Sequence, residues 1–282
     1  LVWEVKGDWV RVRQPTLATA RLAQLQVRRR LVSGCGGRPE PSPPGSAHTC
    51  ALLDDWSVKC WGYNADGQLG VGSTDSQGDL ASEMGDALTA VDFGSGRTVS
   101  QIAVGAHHSC ALLDNYDVKC WGRNSDGQLG YGDTVNRGDQ SGEMGTNLPA
   151  VRFPTGRSAR TIAAGANHTC AILDNSSVIC WGLNDYGQLG QNSVTSIGDS
   201  STTTVEDATP INLGVGRTAL ALAAGDSHTC AILDNSSVKC WGDGSQGRLG
   251  TGTTDAIGDG TGIAVSDATS IDLGTGRTAI AI

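Results

Sequence analysis

The chain has 282 residues, of which 40 are glycine and only 5% are aromatic, a composition that fits turn-rich β structure better than helical packing. Its net charge of −9 is unevenly spread: residues 1–40 carry eight Lys/Arg against three Asp/Glu, whereas residues 41–282 carry twelve against twenty-six. An acidic body of this kind disfavours a phosphate-backbone partner, and no apolar run reaches the roughly 18 residues of a membrane-spanning helix.

Residues 1–47 form a non-repeat leader, basic and then rich in Gly and Pro. A short helix is expected around residues 16–31, ended by a Gly/Pro/Ser tract that cannot continue it, and the segment reads as disordered or weakly folded. Arg28, Arg29 and Arg30 are the one basic cluster, with a patch for an acidic surface or nucleic acid as the alternative reading. Cys35 has no counterpart at the spacing described next and reads as a free thiol.

From His48 to the end the chain repeats. Cys50, Cys110, Cys170 and Cys230 are 60 residues apart, and Cys60, Cys120, Cys180 and Cys240 keep the same period, so motif copies start near residues 48, 108, 168 and 228. In the first copy, HTCALL is a run of strand length, DDWS a turn and SVKCWG a second strand ending in glycine, together a β-hairpin. An odd-length turn centred near Asp55 sets Cys50 opposite Cys60 on one side of the hairpin, where a disulfide can bridge the strands. Closing so short a loop contributes roughly 3 kcal/mol on a chain-entropy account. The alternative for these cysteines is metal. Zinc sites join pairs two to four residues apart, a spacing absent here. Four such pairs point to an oxidising compartment.

After the hairpin comes NADGQLG, repeated as NSDGQLG and NDYGQLG and then altered to GSQGRLG. Glycines at fixed offsets predict a tight turn with positive φ; a phosphate cradle is the rival, but no Lys-Ser/Thr follows. A polar loop of about 20 residues leads to VDFGSGRTVSQIAVG, where residues 91–93 and 99–104 read as two further strands, giving four per period. Apolar character on both faces of these strands means that one unit cannot bury itself and must stack on its neighbours.

The segment GAHHSCALLDNYDVKCWGRNSDGQLGYG resembles the repeat of the regulator of chromosome condensation family, in which a glycine, a histidine-serine pair, a hairpin, a Trp-Gly and an N-x-x-G-Q-L-G turn follow in order. Resemblance covers residues 48–282. It implies an all-β fold, a β-propeller of four-stranded blades, commonly seven in that family. This chain departs in its paired cysteines, its longer inter-motif loop and its four complete copies; a fifth falls beyond Ile282, so a fragment of a larger ring is expected. Members of the family include a nucleotide exchanger on a small GTPase, ubiquitin-ligase propellers and a secreted inhibitor, and no partner-contacting motif of theirs is matched here.

Residues that could carry chemistry are few. His48, His107, His108, His168 and His228 all precede the first cysteine of a copy; the reading is that each bonds the backbone of an adjacent turn, with a metal-binding or enzymatic histidine ring as the alternative. No nucleophile and base are paired by motif, so the chain reads as non-catalytic and free of cofactor. Acidic loops, with Asp75, Asp79, Glu83 and Asp86 in the first and Asp133, Asp139 and Glu143 in the second, offer oxygens of the kind calcium takes but at no EF-hand spacing. Trp61, Trp121, Trp181 and Trp241 recur and read as blade packing. Trp56 does not recur, sits at a turn tip and reads as an exposed contact residue, to which Asp75, Asp79, Glu83, Asp133 and Asp139 are added as speculative binding positions. Sequons at Asn167, Asn175 and Asn235 fit a secreted glycoprotein.

These observations point to a secreted or cell-surface scaffold that binds a protein or glycan through its unrepeated loops. The rival reading is an intracellular regulator of a small GTPase, which the acidity and the paired cysteines oppose.

Overall fold

The computed structural model describes residues 31–33 and 48–282. Twelve strands form four antiparallel three-stranded sheets. The first holds β1 (Leu31–Ser33), β2 (His48–Leu52) and β3 (Val58–Gly62); the second β4 (Val99–Val104), β5 (His108–Leu113) and β6 (Val118–Gly122). The third holds β7 (Ala159–Ala164), β8 (His168–Leu173) and β9 (Val178–Gly182), and the fourth β10 (Ala219–Ala224), β11 (His228–Leu233) and β12 (Val238–Gly242).

The hairpin follows from its sequence. Leu53 N–H donates to the Ser57 carbonyl and Trp56 N–H to the Leu53 carbonyl, closing a three-residue loop over residues 54–56. Its last residue takes the left-handed conformation, the usual geometry of such loops. That register puts Cys50 opposite Cys60, and the same pairing recurs at Cys110 and Cys120, Cys170 and Cys180, and Cys230 and Cys240. Cα separations of 4.0–4.1 Å match the closer, non-hydrogen-bonded type of cross-strand pair, and the sulfur atoms lie at bonding distance. Every residue of β5, β6, β8 and β9 is buried, as strands covered on both faces require.

One expectation about strands is corrected. A fourth strand at residues 91–93 does not form: Val91 N–H donates to the Val58 carbonyl, and Val151, Ile211 and Ile271 repeat this bond to Val118, Val178 and Val238, but no ladder follows. Pro149 and Pro154 in the second blade and Pro210 in the third lack the N–H that a ladder needs, and Asp92, Asn212 and Asp272 turn the chain in the first, third and fourth by accepting the N–H of Gly94, Gly214 and Gly274 at 2.8–3.1 Å. The outer position of each blade is therefore filled by a single-bonded segment. The structure also places a short strand in the leader. Where the period would place the first strand of the first blade, residues 39–44 read PEPSPP, with four prolines. Leu31–Ser33 takes that position instead, Val32 pairing with Cys50 just as Ala103 pairs with Cys110. The helix expected around residues 16–31, the arginine cluster and Cys35 lie outside the described residues.

Successive blades meet through their first strands and turns. β4 lies beside β7, and β7 beside β10. Gln101 Nε2 donates to the Ile162 carbonyl at 2.8 Å, while Gln101 Oε1 accepts the Thr161 hydroxyl at 2.8 Å and the Ile162 N–H at 3.1 Å. The buried clusters are shared across blades: Leu129, Val118 and Cys120 of the second pack with Ala171, Ile179 and Trp181 of the third. This is the inter-unit burial that stacked repeats depend on.

Candidate functional site

The repeated polar residues converge on the seams between blades. His48 Nε2 lies 2.7 Å from Ser109 Oγ, His108 Nε2 2.9 Å from Thr169 Oγ1, and His168 Nε2 2.9 Å from Thr229 Oγ1, each reaching the next blade. Those hydroxyls spend their only proton on the carbonyls of Gln68, Gln128 and Gln188, at 3.1, 2.9 and 3.0 Å. They can therefore only accept from histidine, which places the imidazole proton on Nε2. The same carbonyls accept Trp121, Trp181 and Trp241 Nε1–H at 2.9–3.0 Å. One glutamine carbonyl thus takes two donors from the following blade. The expectation that each histidine bonds the backbone of an adjacent turn is met in part: backbone groups of Ala106 and Ala166 bond His48 and His108, while His48, His108 and His168 also reach a side chain 61 residues away and His107 Nδ1 lies 3.1 Å from Asp66 Oδ2.

The seam keeps its imidazoles neutral. Burial pushes the His48 imidazole down to about 4 and the His108 and His168 imidazoles to about 3, with the adjacent imidazoles adding to the effect. A Cβ at Gly105 would collide with the His108 ring and the Gly165 carbonyl, so the ring is clamped between backbone segments. The sulfurs of Cys50, Cys110 and Cys170 lie 3.7–3.9 Å from the same Ser109, Thr169 and Thr229 hydroxyls, joining the cross-strand pairs to the seam. Trp121, Trp181 and Trp241 are fully buried, whereas Trp61, with no preceding blade among the described residues, is half-buried. His228, in the last described blade, is likewise half-buried.

The acidic loops spend their carboxylates locally. Glu83 Oε2 accepts the Gly78 and Leu80 N–H groups, at 2.8 and 3.2 Å, which hold its carboxyl below the usual range; Glu143 Oε2 accepts the Gly138 and Gln140 N–H groups at 2.8 and 3.1 Å. Asp133 pairs with Arg137 at 2.8 Å and accepts Asn124 Nδ2 at 3.0 Å. Partial burial, with Glu143 alongside, pushes the Asp139 carboxyl up. Asp75 and Asp79 are exposed. Among the described residues no group of three or more His, Cys, Asp or Glu is placed to hold a metal ion, and no helix is long and apolar enough to cross a membrane.

The hairpin tips are the opposite case. Trp56, Tyr116, Ser176 and Ser236 occupy one position, with φ of 64–68°. Trp56 and Tyr116 are 55% and 60% exposed. Beside the Tyr116, Ser176 and Ser236 tips, Arg97, Arg157 and Arg217 pair with Asp114, Asp174 and Asp234 at 3.2–3.4 Å, tying the preceding loop to the hairpin. Asn175 and Asn235 are exposed on the tips, each oxygen accepting the N–H and hydroxyl of the serine two residues on. Asn167 is half-buried, its side-chain oxygen enclosed. Tyr116 was not singled out from sequence; its alignment with Trp56 at the period was the available signal.

Comparisons place this architecture among known proteins. The profile described as "Regulator of chromosome condensation (RCC1) repeat" matches residues 58–112, 118–172 and 175–232, and a second profile of the same description matches 45–68, 99–128, 159–188 and 220–248. The chain is 31% identical over 207 residues to the ultraviolet-B receptor UVR8 of Arabidopsis thaliana, covering 73% of this chain and 42% of that protein. It is 31% identical over 210 residues to the probable E3 ubiquitin-protein ligase HERC4 of Homo sapiens, covering 73% and 18%. The chain thus spans less than half the length of these relatives. Two solved structures share the fold: human WBSCR16, with a TM-score of 0.57 at 21% identity over 81% of this chain and 52% of that one, and yeast RCC1 (Prp20) bound to Kap60, with 0.57 at 21% over 87% and 49%. The chain therefore belongs to the regulator of chromosome condensation repeat family, as a run of four propeller blades.

Proposed function

We propose that this chain is a non-catalytic recognition scaffold working in an oxidising, extracellular setting, where exposed hairpin tips and inter-blade loops bind a protein or glycan. The observation that carries the reading is the division of labour: the repeated polar residues are consumed in buried seams, while the residues that differ between copies are exposed. The four cysteine pairs are proposed to be native disulfides, and Asn175 and Asn235 to be glycan acceptors. Their exposure supports this, whereas the enclosed oxygen of Asn167 argues against a third acceptor in the folded chain. Residues 1–47 are proposed to be a leader outside the repeat, apart from the strand at Leu31–Ser33.

A second reading is a regulator acting on another protein inside the cell, without catalysis of its own. It is favoured by fold likeness to yeast Prp20p, described with its binding to Gsp1p and histones, at a TM-score of 0.55 and 22% identity. Intact mass before and after reduction decides between them. Four disulfides give a gain of eight hydrogens. Free thiols in protein taken from its native source sink the extracellular reading.

A further inference from the structure

We infer that a cleft in the second blade, at the rim formed by the hairpin tips, binds a free α-amino acid, whose ammonium meets Asp117 and whose carboxylate meets Lys119 and Arg97. This goes beyond the macromolecular recognition proposed above and does not depend on it. The cleft is open, has a volume of about 210 Å³ and lies between the 93–97 loop and the second blade, lined by Phe93, Ser95, Arg97, Asp117, Lys119 and Thr146. Pockets for drug-sized ligands run to roughly 300–1,000 Å³, so the occupant here is smaller.

The cleft holds opposite charges that are met by neutral groups. Lys119 is only 8% exposed, and its Nζ donates to the Phe93 and Gly145 carbonyls at 3.1 and 2.7 Å, which leaves one ammonium proton for a ligand. Burial pushes this ammonium down, with Asp117 and Asp92 opposing the fall. The Asp117 carboxylate accepts Asn115 Nδ2 at 2.6 Å, and among the described residues no cation lies within ion-pair distance of it. Asp117 directly precedes β6 and Lys119 is the second residue of that strand, so the two side chains leave the chain on one side, about 6–7 Å apart. An ammonium and a carboxylate on neighbouring atoms bridge such a gap with a hydrogen bond at each end. Arg97 reaches Asp114 through Nη1 alone, at 3.4 Å, and keeps the rest of its fork for a carboxylate. A simple anion would face Asp117, and a simple cation would face Lys119 and Arg97; a zwitterion is complemented at both ends. Ser95 and Thr146 add exposed hydroxyls, and Phe93 gives an apolar wall for a small side chain.

The other copies show that the fold does not require these charges. Asp117 is matched in the period by Ser57, Ser177 and Ser237, whose hydroxyls close the same turn on Asp55, Asn175 and Asn235 at 2.6–2.8 Å. Lys119 is matched by Ile179 in the third blade and by Lys239 in the fourth, where Nζ donates to the Val265 and Ser266 carbonyls at 3.1 and 2.9 Å. Only the second blade combines the arginine, the acid and the lysine at these positions.

The test is calorimetric titration of the whole oxidised chain with the free proteinogenic α-amino acids, then with the N-acetyl and amide derivatives of the best binder. We expect a Kd of about 1 mM or tighter for at least one amino acid, and a loss of about tenfold or more when either end is masked. Asp117→Ser and Lys119→Ile, each a residue that another copy holds at the same position, should each weaken binding about tenfold or more. Lys239→Ile should leave it unchanged. Asp117→Ser keeps the turn as the other three blades make it, so its effect reads affinity and not folding, which an unchanged circular dichroism spectrum checks. Absence of any amino-acid binding in the millimolar range, a masked derivative that binds as well as its parent, or unchanged affinity in Asp117→Ser overturns the inference. Tighter binding of acetate or methylammonium than of every amino acid overturns it as well.

Discussion

The seam and the rim are built from the same 60-residue period and have opposite characters. At the seam, Trp121, Trp181 and Trp241 sit in identical bonds to Gln68, Gln128 and Gln188. At the rim, one backbone position holds Trp56, Tyr116, Ser176 and Ser236. A seam residue answers to both its own blade and the next, so its volume and its donors are fixed twice over. A rim residue answers only to the turn. Repetition in this chain therefore marks what holds the blades together, and the breaks in repetition mark surface free to differ.

The sharpest way to break the comparison is at the seam. Trp181→Ala removes a fully buried ring and leaves the Gln128 carbonyl short of one donor; it should cost about 3–5 kcal/mol in chemical denaturation. Trp61→Ala, at a half-buried copy of the same position, should cost well under half as much, and equal losses would show that burial across blades is not what the tryptophans supply. Replacing Cys170 and Cys180 together by alanine should lower stability by about 2–3 kcal/mol, with no further loss for that pair on adding reductant.

Acid should act on the seam and spare the rim. His48, His108 and His168 have folded pKa values depressed to about 4 or about 3, while the unfolded chain titrates near 6.5. Between those values the unfolded state binds more protons, so stability is full above about pH 6.5 and is lost as pH falls, by up to about 1.4 kcal/mol per unit for each histidine. Melting temperature measured from pH 7 to 4 should fall in step, and His108→Gln should flatten the slope by about one histidine's share. A pH-independent melting temperature would mean that the imidazoles are not held neutral. The smallest effect belongs to the rim: Tyr116→Gly should stabilise the fold by about 1 kcal/mol, by relieving the left-handed backbone.

Much of this was legible in the sequence because it is local. The hairpin, its odd turn and the opposition of Cys50 and Cys60 depend on eleven consecutive residues, and the structure repeats them in every blade. What was misread is either non-local or a break in the period. The hydroxyl that each of His48, His108 and His168 meets lies 61 residues on, and no local pattern announces it. The absent fourth ladder reflects Pro149, Pro154 and Pro210 in the second and third blades and the turns made by Asp92, Asn212 and Asp272 in the first, third and fourth, all within a segment whose apolar residues otherwise look like a strand. The first strand of the first blade was hidden for the converse reason: four prolines occupy its place in the period, and Leu31–Ser33 fills the gap without sharing the repeat's sequence.

The glutamine carbonyl that takes two donors from the next blade gives the chain a direction. One side of each blade offers an acceptor, and the other offers a tryptophan N–H and a hydroxyl. Two like faces brought together would set acceptor against acceptor, or donor against donor. Blades of this kind add head to tail, and a symmetric pairing of two copies through equivalent seam faces is chemically mismatched.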